Sequence, residues 1–157
     1  MAVDKNEFRA ALGRFASGVT VVTTLDAGRR PQGLTVSAFC SVSLVPPLVL
    51  VSIEKGTRTH DALGESGVFV VNVLGEEQEG LSNRFATRAA DKFAGLDYDL
   101  AKNGAPLLPD ALAHIQCRLR HAYDGGDHTI FVGEVESTAL NECKPLIYFR
   151  GGYARLE

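Results

Sequence analysis

The chain has 157 residues, 45% of them hydrophobic and 22% charged, a balance that fits one soluble globular domain, residues 1–157, and excludes a disordered or low-complexity scaffold. Sixteen Lys and Arg face 19 Asp and Glu, so there is no bulk positive field to hold a phosphate polymer, and nucleic acid is not an expected partner. Three cysteines, Cys40, Cys117 and Cys143, lack CxxC or Cys/His ligand spacing; they encode neither a disulfide framework nor a zinc site and point to buried thiols in a reducing cytoplasm.

Charges at Asp4, Lys5, Glu7 and Arg9 interrupt any apolar leader, so no signal peptide is expected. Asp4 followed three residues later by Glu7 resembles a capping box, and Phe8, Leu12 and Phe15 recur at helical spacing up to Gly18, which predicts one amphipathic helix. The β-branched run Val19 to Thr24 stops at Asp26-Ala27-Gly28 and resumes after Pro31, which predicts a hairpin. Pro31 to Ile53 carries no charge and is long enough to span a bilayer, but Gln32, Thr35, Ser37, Ser41, Ser43 and Pro46-Pro47 exclude a membrane helix. It divides instead into a strand from Gly33 to Val42 and an apolar strand, Leu48 to Ile53, of the kind buried on both faces.

Lys55-Gly56-Thr57 reads as a turn, with Thr57 capping a short helix through Leu63. Val68 to Leu74 is a buried strand, and Glu76 to Ala86 a helix with Leu81 and Phe85 on one face, running into a polar connector, Thr87 to Asp91. Pro106 to Pro109 marks a loop. From Ala113 to His121 apolar and polar residues alternate as in a half-exposed strand, and Asp124-Gly125-Gly126 turns it into a partner, His128 to Ser137. A last strand, Pro145 to Phe149, precedes Gly151-Gly152. Six or seven strands joined as hairpins rather than βαβ units predict a mainly β protein, an antiparallel barrel with a few short helices.

Generic catalytic signals are sparse. There is no G-x-G-x-x-G after a strand, no phosphate-binding P-loop, no G-x-S-x-G elbow and no histidine pair at metal-ligand spacing, so no metal is expected. Gly33 to Phe39 places glycine and small hydroxyl residues in a strand, which would let a flat ring approach the backbone; the same pattern fits a tightly packed strand. Ser52 to Thr59 sets Lys55, Arg58 and several hydroxyls at a helix start, suited to a phosphate, although a solvated turn reads equally well. Asp127 beside His128 could orient an imidazole at the head of a strand, or simply form a surface turn.

Taken in order, these segments carry a resemblance over nearly the whole chain: F-x-x-x-L-G-R-F-A-S-G-V-T-V-V-T-T at Phe8 to Thr24, G-L-T-V-S-A-F at Gly33 to Phe39, P-P-L-V-L-V-S-I at Pro46 to Ile53, F-V-V-N-V-L at Phe69 to Leu74, F-A at Phe85-Ala86, D-K-F at Asp91 to Phe93 and G-D-H at Gly126 to His128. The chain resembles the short-chain flavin reductase family, the small reductase components of two-component flavin monooxygenases. The resemblance implies a split β-barrel with a Greek-key core, a homodimer, FMN or FAD as the flavin, NADH or NADPH as hydride donor, and a flavin-dependent monooxygenase component as the recipient of reduced flavin. It implies that Thr35, Val36, Ser37 and Ala38 lie against the flavin ring. Ser52, Glu54 and Lys55 would sit at the ribityl and phosphate end with Arg58 and Thr59, and Arg84 and Phe85 would close the site. His128, oriented by Asp127, would be catalytic at the nicotinamide, with Tyr148 and Gly151 flanking it. The alternative is a non-catalytic flavin-binding or electron-carrier protein on the same barrel, against which the intact G-D-H segment weighs.

Overall fold

The structure, a computed structural model, describes residues 2–157. The N-terminal helix forms as α1 (Lys5–Leu12), where the Asp4 carboxylate accepts from the amides of Asn6 and Glu7. It ends at Gly13 rather than Gly18, because Ser17–Gly18 is drawn off as a short strand, β1. No residue of α1 is buried, and Phe8, Leu12 and Phe15 face outward. The hairpin forms as β2 (Thr20–Leu25) and β3 (Pro31–Val36), in register from Thr20 opposite Val36 to Leu25 opposite Pro31. Its turn is organised by Asp26, whose carboxylate accepts from the backbone amides of Arg30 and Gly28, each at 2.9 Å. The Arg30 amide, with Gln32 and the Arg30 charge, holds that carboxyl below its ordinary pKa.

Two strand expectations change. The strand from Gly33 to Val42 breaks at the exposed pair Ser37-Ala38 into β3 and β4 (Phe39–Ser43), where the Phe39 amide donates to the Ser37 carbonyl at 2.9 Å. The break arises because β3 pairs with β2 while β4 pairs with β5 (Leu48–Glu54), so the chain must cross from one end of the sheet to the other. In β5 the apolar run is buried on one face only: Val49, Val51 and Ile53 enter the core, while Leu48, Leu50 and Ser52 alternate with them half-exposed. An unbroken apolar run does not by itself say whether both faces are covered.

Thr57 caps α2 (Arg58–Ser66), accepting from the His60 amide at 3.2 Å, and the helix runs past Leu63 to Gly67, a left-handed C-cap at φ 70°. Next come β6 (Val68–Val73) and α3 (Glu79–Phe85); the latter starts later than Glu76 because Gln78 bonds the Gly75 amide outside the helix. Two short strands, β7 (Asp99–Leu100) and β8 (Pro106–Leu107), pair where only a loop was expected. A long hairpin, β9 (Ala113–Gly125) and β10 (His128–Leu140), is followed by β11 (Ile147–Phe149) and β12 (Gly152–Ala154), which join β1 in a separate sheet.

The main sheet has seven antiparallel strands in the order β3-β2-β6-β9-β10-β5-β4. The β9–β10 hairpin is inserted between β5 and β6, which gives the Greek-key crossing. The ladder does not close into a full barrel, since β3 and β4 are edges joined only through Ser37-Ala38, and this is the split. Inside the curl, Val22, Val51, Ile53, Phe69, Val71 and Phe131 pack with Leu63 of α2. Outside it, Phe85, Phe93, Leu108 and Leu146 cover Val19 and Val21. Of the cysteines only Cys117 is buried, its thiol pushed up to about 12 by burial; Cys40 and Cys143 are exposed, contrary to the expectation of three buried thiols. Among the described residues no helix is long and apolar enough to cross a membrane.

Gly133 sits at a register shift in β10, and a Cβ there would meet the Phe69 ring at 2.5 Å and the Cys117 Cβ at 3.0 Å. Gly133→Ala should therefore destabilise the fold by about 1–3 kcal/mol through overpacking. Urea unfolding checks this, and an unchanged midpoint would show that the core yields at Phe69 without cost.

Candidate functional site

The free edge of β3, the start of α2 and the connector after α3 enclose a cleft of about 320 Å³. Its walls bring three cations, Arg58, Arg88 and Lys92, against one carboxylate, Glu54, with the hydroxyl residues Thr57, Thr59 and Thr87 between them. Such a lining suits a singly or doubly charged anion. Lys92 reaches back to the sheet, its Nζ donating to the Gly33 carbonyl at 3.0 Å and to the Phe85 carbonyl at 3.1 Å. Partial burial, and then the nearby Arg58 charge, push its ammonium below the ordinary lysine range.

The connector is a strap with fastenings at several points. Arg84 at the end of α3 donates Nε to the Lys92 carbonyl at 2.6 Å and Nη2 to the Ala94 carbonyl, and Arg58 donates to Ala90 at 3.3 Å. Phe93 anchors the strap in the outer core, edge-on to Phe85 with ring centroids 5.0 Å apart. A second, more acidic cleft of about 830 Å³ continues beyond Arg58 and is lined by Asp26, Asp61, Glu65 and Asp91.

The tip of the β9–β10 hairpin adjoins the end of β5, next to Glu54 on the cleft wall. His128, the first residue of β10, pairs with Glu54 on β5, and the Lys55 amide donates to the Asp127 carbonyl at 2.9 Å. The tight turn uses Gly126 at φ 82°. Asp127 Oδ1 lies 2.7 Å from His128 Nδ1. A carboxylate only accepts, so Nδ1 carries the proton and Nε2 is left without a partner among the described residues. The hydrogen bond from His128, with its charge, holds the Asp127 carboxyl below its usual range.

The sequence-expected residues therefore separate into groups. Glu54, Arg58 and Thr59 line the cleft, Thr59 almost fully buried. Ser37 and Ala38 are exposed at the split, where the Ser52 amide donates to the Ala38 carbonyl at 3.0 Å. Thr35 is half-buried and donates its hydroxyl to the Ser82 carbonyl at 2.6 Å, while Val36 packs in the inner core. Lys55 does not line the cleft; it pairs with Asp124 on the hairpin, which holds that carboxyl low. Tyr148 and Gly151 lie on the β1-β11-β12 side, where Tyr148 meets Tyr153, whose hydroxyl is 2.6 Å from Ser82 Oγ.

Two of the expected residues turn their side chains away from the cleft. Phe85 is fully buried, and its ring fills the space above Gly33, where a Cβ would lie 2.8 Å away. One flat ring that the strand glycine admits is thus the protein's own. Arg84 acts on the strap rather than on the cleft, since its guanidinium is spent on the carbonyls of Lys92 and Ala94. Sequence reasoning gave no role to Arg88 or Lys92, although D-K-F had been singled out as a motif; a polar connector gives no sign of which of its cations turns inward.

The flavin reductase like domain matches residues 12–157. The chain belongs to the flavin reductase-like family. This reductase is 45% identical over 157 residues to the flavin-dependent monooxygenase reductase subunit HsaB of Rhodococcus jostii, covering 99% of this chain and 80% of that protein. It is also 45% identical over 153 residues to the FMN reductase (NADH) SmoA of Agrobacterium fabrum, covering 97% and 86% of the two chains. The NADH:FAD oxidoreductase SgcE6 of Streptomyces globisporus, solved with NAD and FAD fragments, superposes with a TM-score of 0.93 at 37% identity, over 100% of this chain and 97% of that one. The reductase is thus an oxidoreductase of the flavin reductase class.

Arg84→Met should release the strap while leaving the barrel intact. Trypsin nicking at Arg88 or Lys92 should accelerate by about tenfold with little change in melting temperature, because cleavage tracks local opening. Equal proteolysis of variant and parent would mean that Lys92 and Phe93 hold the strap unaided.

Proposed function

We propose that the protein is an NAD(P)H:flavin oxidoreductase that reduces FMN or FAD in the cytoplasm and hands reduced flavin to a separate flavin-dependent monooxygenase. The observation that carries this reading is the cleft that Arg58, Arg88 and Lys92 form at the free edge of β3, with Glu54 on its wall in register with His128 of the hairpin that also presents Asp127. Relatives named as monooxygenase reductase subunits and as NADH-dependent flavin reductases support it.

The residues fit a flavin. The Gly33 carbonyl, taken by Lys92, lies on the unpaired edge of β3, and alternation puts the N–H and C=O of Thr35 on the same row. In this reading that row, with Ser37, Ala38 and Ser52, meets the polar edge of the ring. Arg58, Arg88, Thr57 and Thr59 hold the phosphate end by charge and hydrogen bonding. A bound flavin supplies the hydride acceptor. The chain's part is placement: Asp127 fixes the imidazole, whose free Nε2 orients the nicotinamide carrying the hydride. Tyr148 and Gly151 flank the same pocket in the assembled protein. Lys55 acts through the hairpin, by its pair with Asp124.

A homodimer completes the proposal. Phe8 and Leu12 on α1 and Phe15 just beyond it are exposed in the single chain, and an apolar surface of this kind needs a neighbour. Sedimentation at micromolar concentration should show two copies, whereas a monomer would remove the partner from the site.

The reduction reaction itself separates the two halves of the site. Anaerobic mixing of the protein with flavin and NADH should bleach the flavin with turnover. Arg88→Ala should raise the flavin Kd by roughly ten- to a hundredfold, the worth of a charge-assisted hydrogen bond. His128→Ala should leave that Kd nearly unchanged and slow hydride transfer on the order of a hundredfold. If His128→Ala sheds flavin while Arg88→Ala does not, the two ligands have been assigned to the wrong ends.

A further inference from the structure

His60 stands outside the cleft and the His128 pair, yet it touches an element of each. It occupies the first turn of α2, two residues beyond Arg58, and its own amide is the one that Thr57 caps. Its Nε2 lies 2.7 Å from the Thr129 hydroxyl on β10, and its Nδ1 lies 2.9 Å from Asp61 Oδ1. Since the carboxylate only accepts, Nδ1 carries a proton toward Asp61, and in the neutral ring Nε2 accepts from the Thr129 hydroxyl. The ring packs against Phe131, centroids 5.3 Å apart, which fixes its plane.

Thr129 is the residue after His128. It lies in register with Ile53 on β5 and Asp124 on β9, one step from the pairing of His128 with Glu54 and Gly125. Side chains alternate along a strand, so Thr129 faces α2 while His128 faces the opposite side. A pull on Thr129 therefore sets the height and tilt of the His128 backbone without touching its ring. The Lys55 amide, bonded to the Asp127 carbonyl, makes a second tie between the same two segments. An apolar side chain would satisfy the packing against Phe131; only a group that bonds Thr129 fixes the sliding of α2 along β10.

We propose that His60 is a positioning residue, which through Thr129 holds the cation-bearing start of α2 and the His128 hairpin at one fixed separation, so that hydride donor and acceptor meet in register. This rests on the function proposed above and adds to it the device that couples the two ligands.

The test uses the full chain in four variants beside the parent: His60→Leu, Thr129→Val, the double variant, and His60→Gln, which can still bond Thr129. Flavin Kd, stopped-flow hydride transfer from NADH, nicotinamide KM and melting temperature are measured for each. His60→Leu and Thr129→Val should each slow hydride transfer by roughly tenfold, as a misplacement of less than about 1 Å would. The double variant should be no slower than the slower single, because both remove one interaction. His60→Gln should regain most of the rate. Thr129→Val is isosteric and carries the test if His60→Leu does not fold. Unchanged transfer rates in folded variants, single effects that multiply in the double, or no recovery in His60→Gln would each overturn the role. A parent that bleaches no flavin overturns the reductase reading itself before any variant is measured.

Discussion

Because β3 hydrogen-bonds to β2 on one side only, the N–H and C=O groups along its other edge need partners from outside the sheet. An open edge of this kind invites pairing with another strand. Here the chain blocks it by leaving the sheet at Ser37-Ala38, by covering its outer face with α3, and by spending Lys92 on the Gly33 carbonyl. What remains is a short row of unpaired backbone groups beside a cluster of cations. The cleft follows from the sheet's failure to close.

Arg84, Lys92 and Phe93 then give the cleft its third wall. Each contact is modest: the strap's hydrogen bonds are partly buried or exposed, and bonds of this kind contribute on the order of 1 kcal/mol net. Their effect is geometric: they hold a segment with little regular structure across a gap between a strand and a helix. The β9–β10 hairpin is held differently, by a continuous ladder from Glu134 opposite Leu48 to His128 opposite Glu54. The strap is thus a loop tied at points and the hairpin a strand paired along its length, which makes the first the adaptable surface and the second the rigid one.

Much of the chain's local order was readable from residue type. Asp4, Thr57 and Asp26 each announce their structure because a short polar side chain can serve a neighbouring amide only in one conformation. The β-branched runs announced β2, β5 and β6 for the same local reason. What could not be read was which face a strand buries and where a cation points, since both depend on segments far away in sequence. Leu50 is half-exposed because it lies on the outer face of β5, away from the core that takes Val49, Val51 and Ile53, and Lys55 turns to the hairpin because Asp124 lies 69 residues on. The family resemblance named Glu54, Arg58 and Thr59, which line one cleft, and also Phe85 and Arg84, whose side chains pack over Gly33 and bind the strap.

The contact between Gly33 and Phe85 bears on how such a site changes over descent. The glycine is required by a ring that fills the outer core, with Cε1 and Cδ1 of Phe85 only 2.8 Å and 2.9 Å from where its Cβ would be. The choice of residue at position 33 is then coupled to the aromatic at position 85 as well as to the cleft that Gly33 lines. A smaller ring at 85 would free the glycine, and a side chain at 33 would require a smaller ring. Covariation between the two positions would record a steric bargain inside the protein, in a motif that would otherwise be read as a signature of cofactor binding.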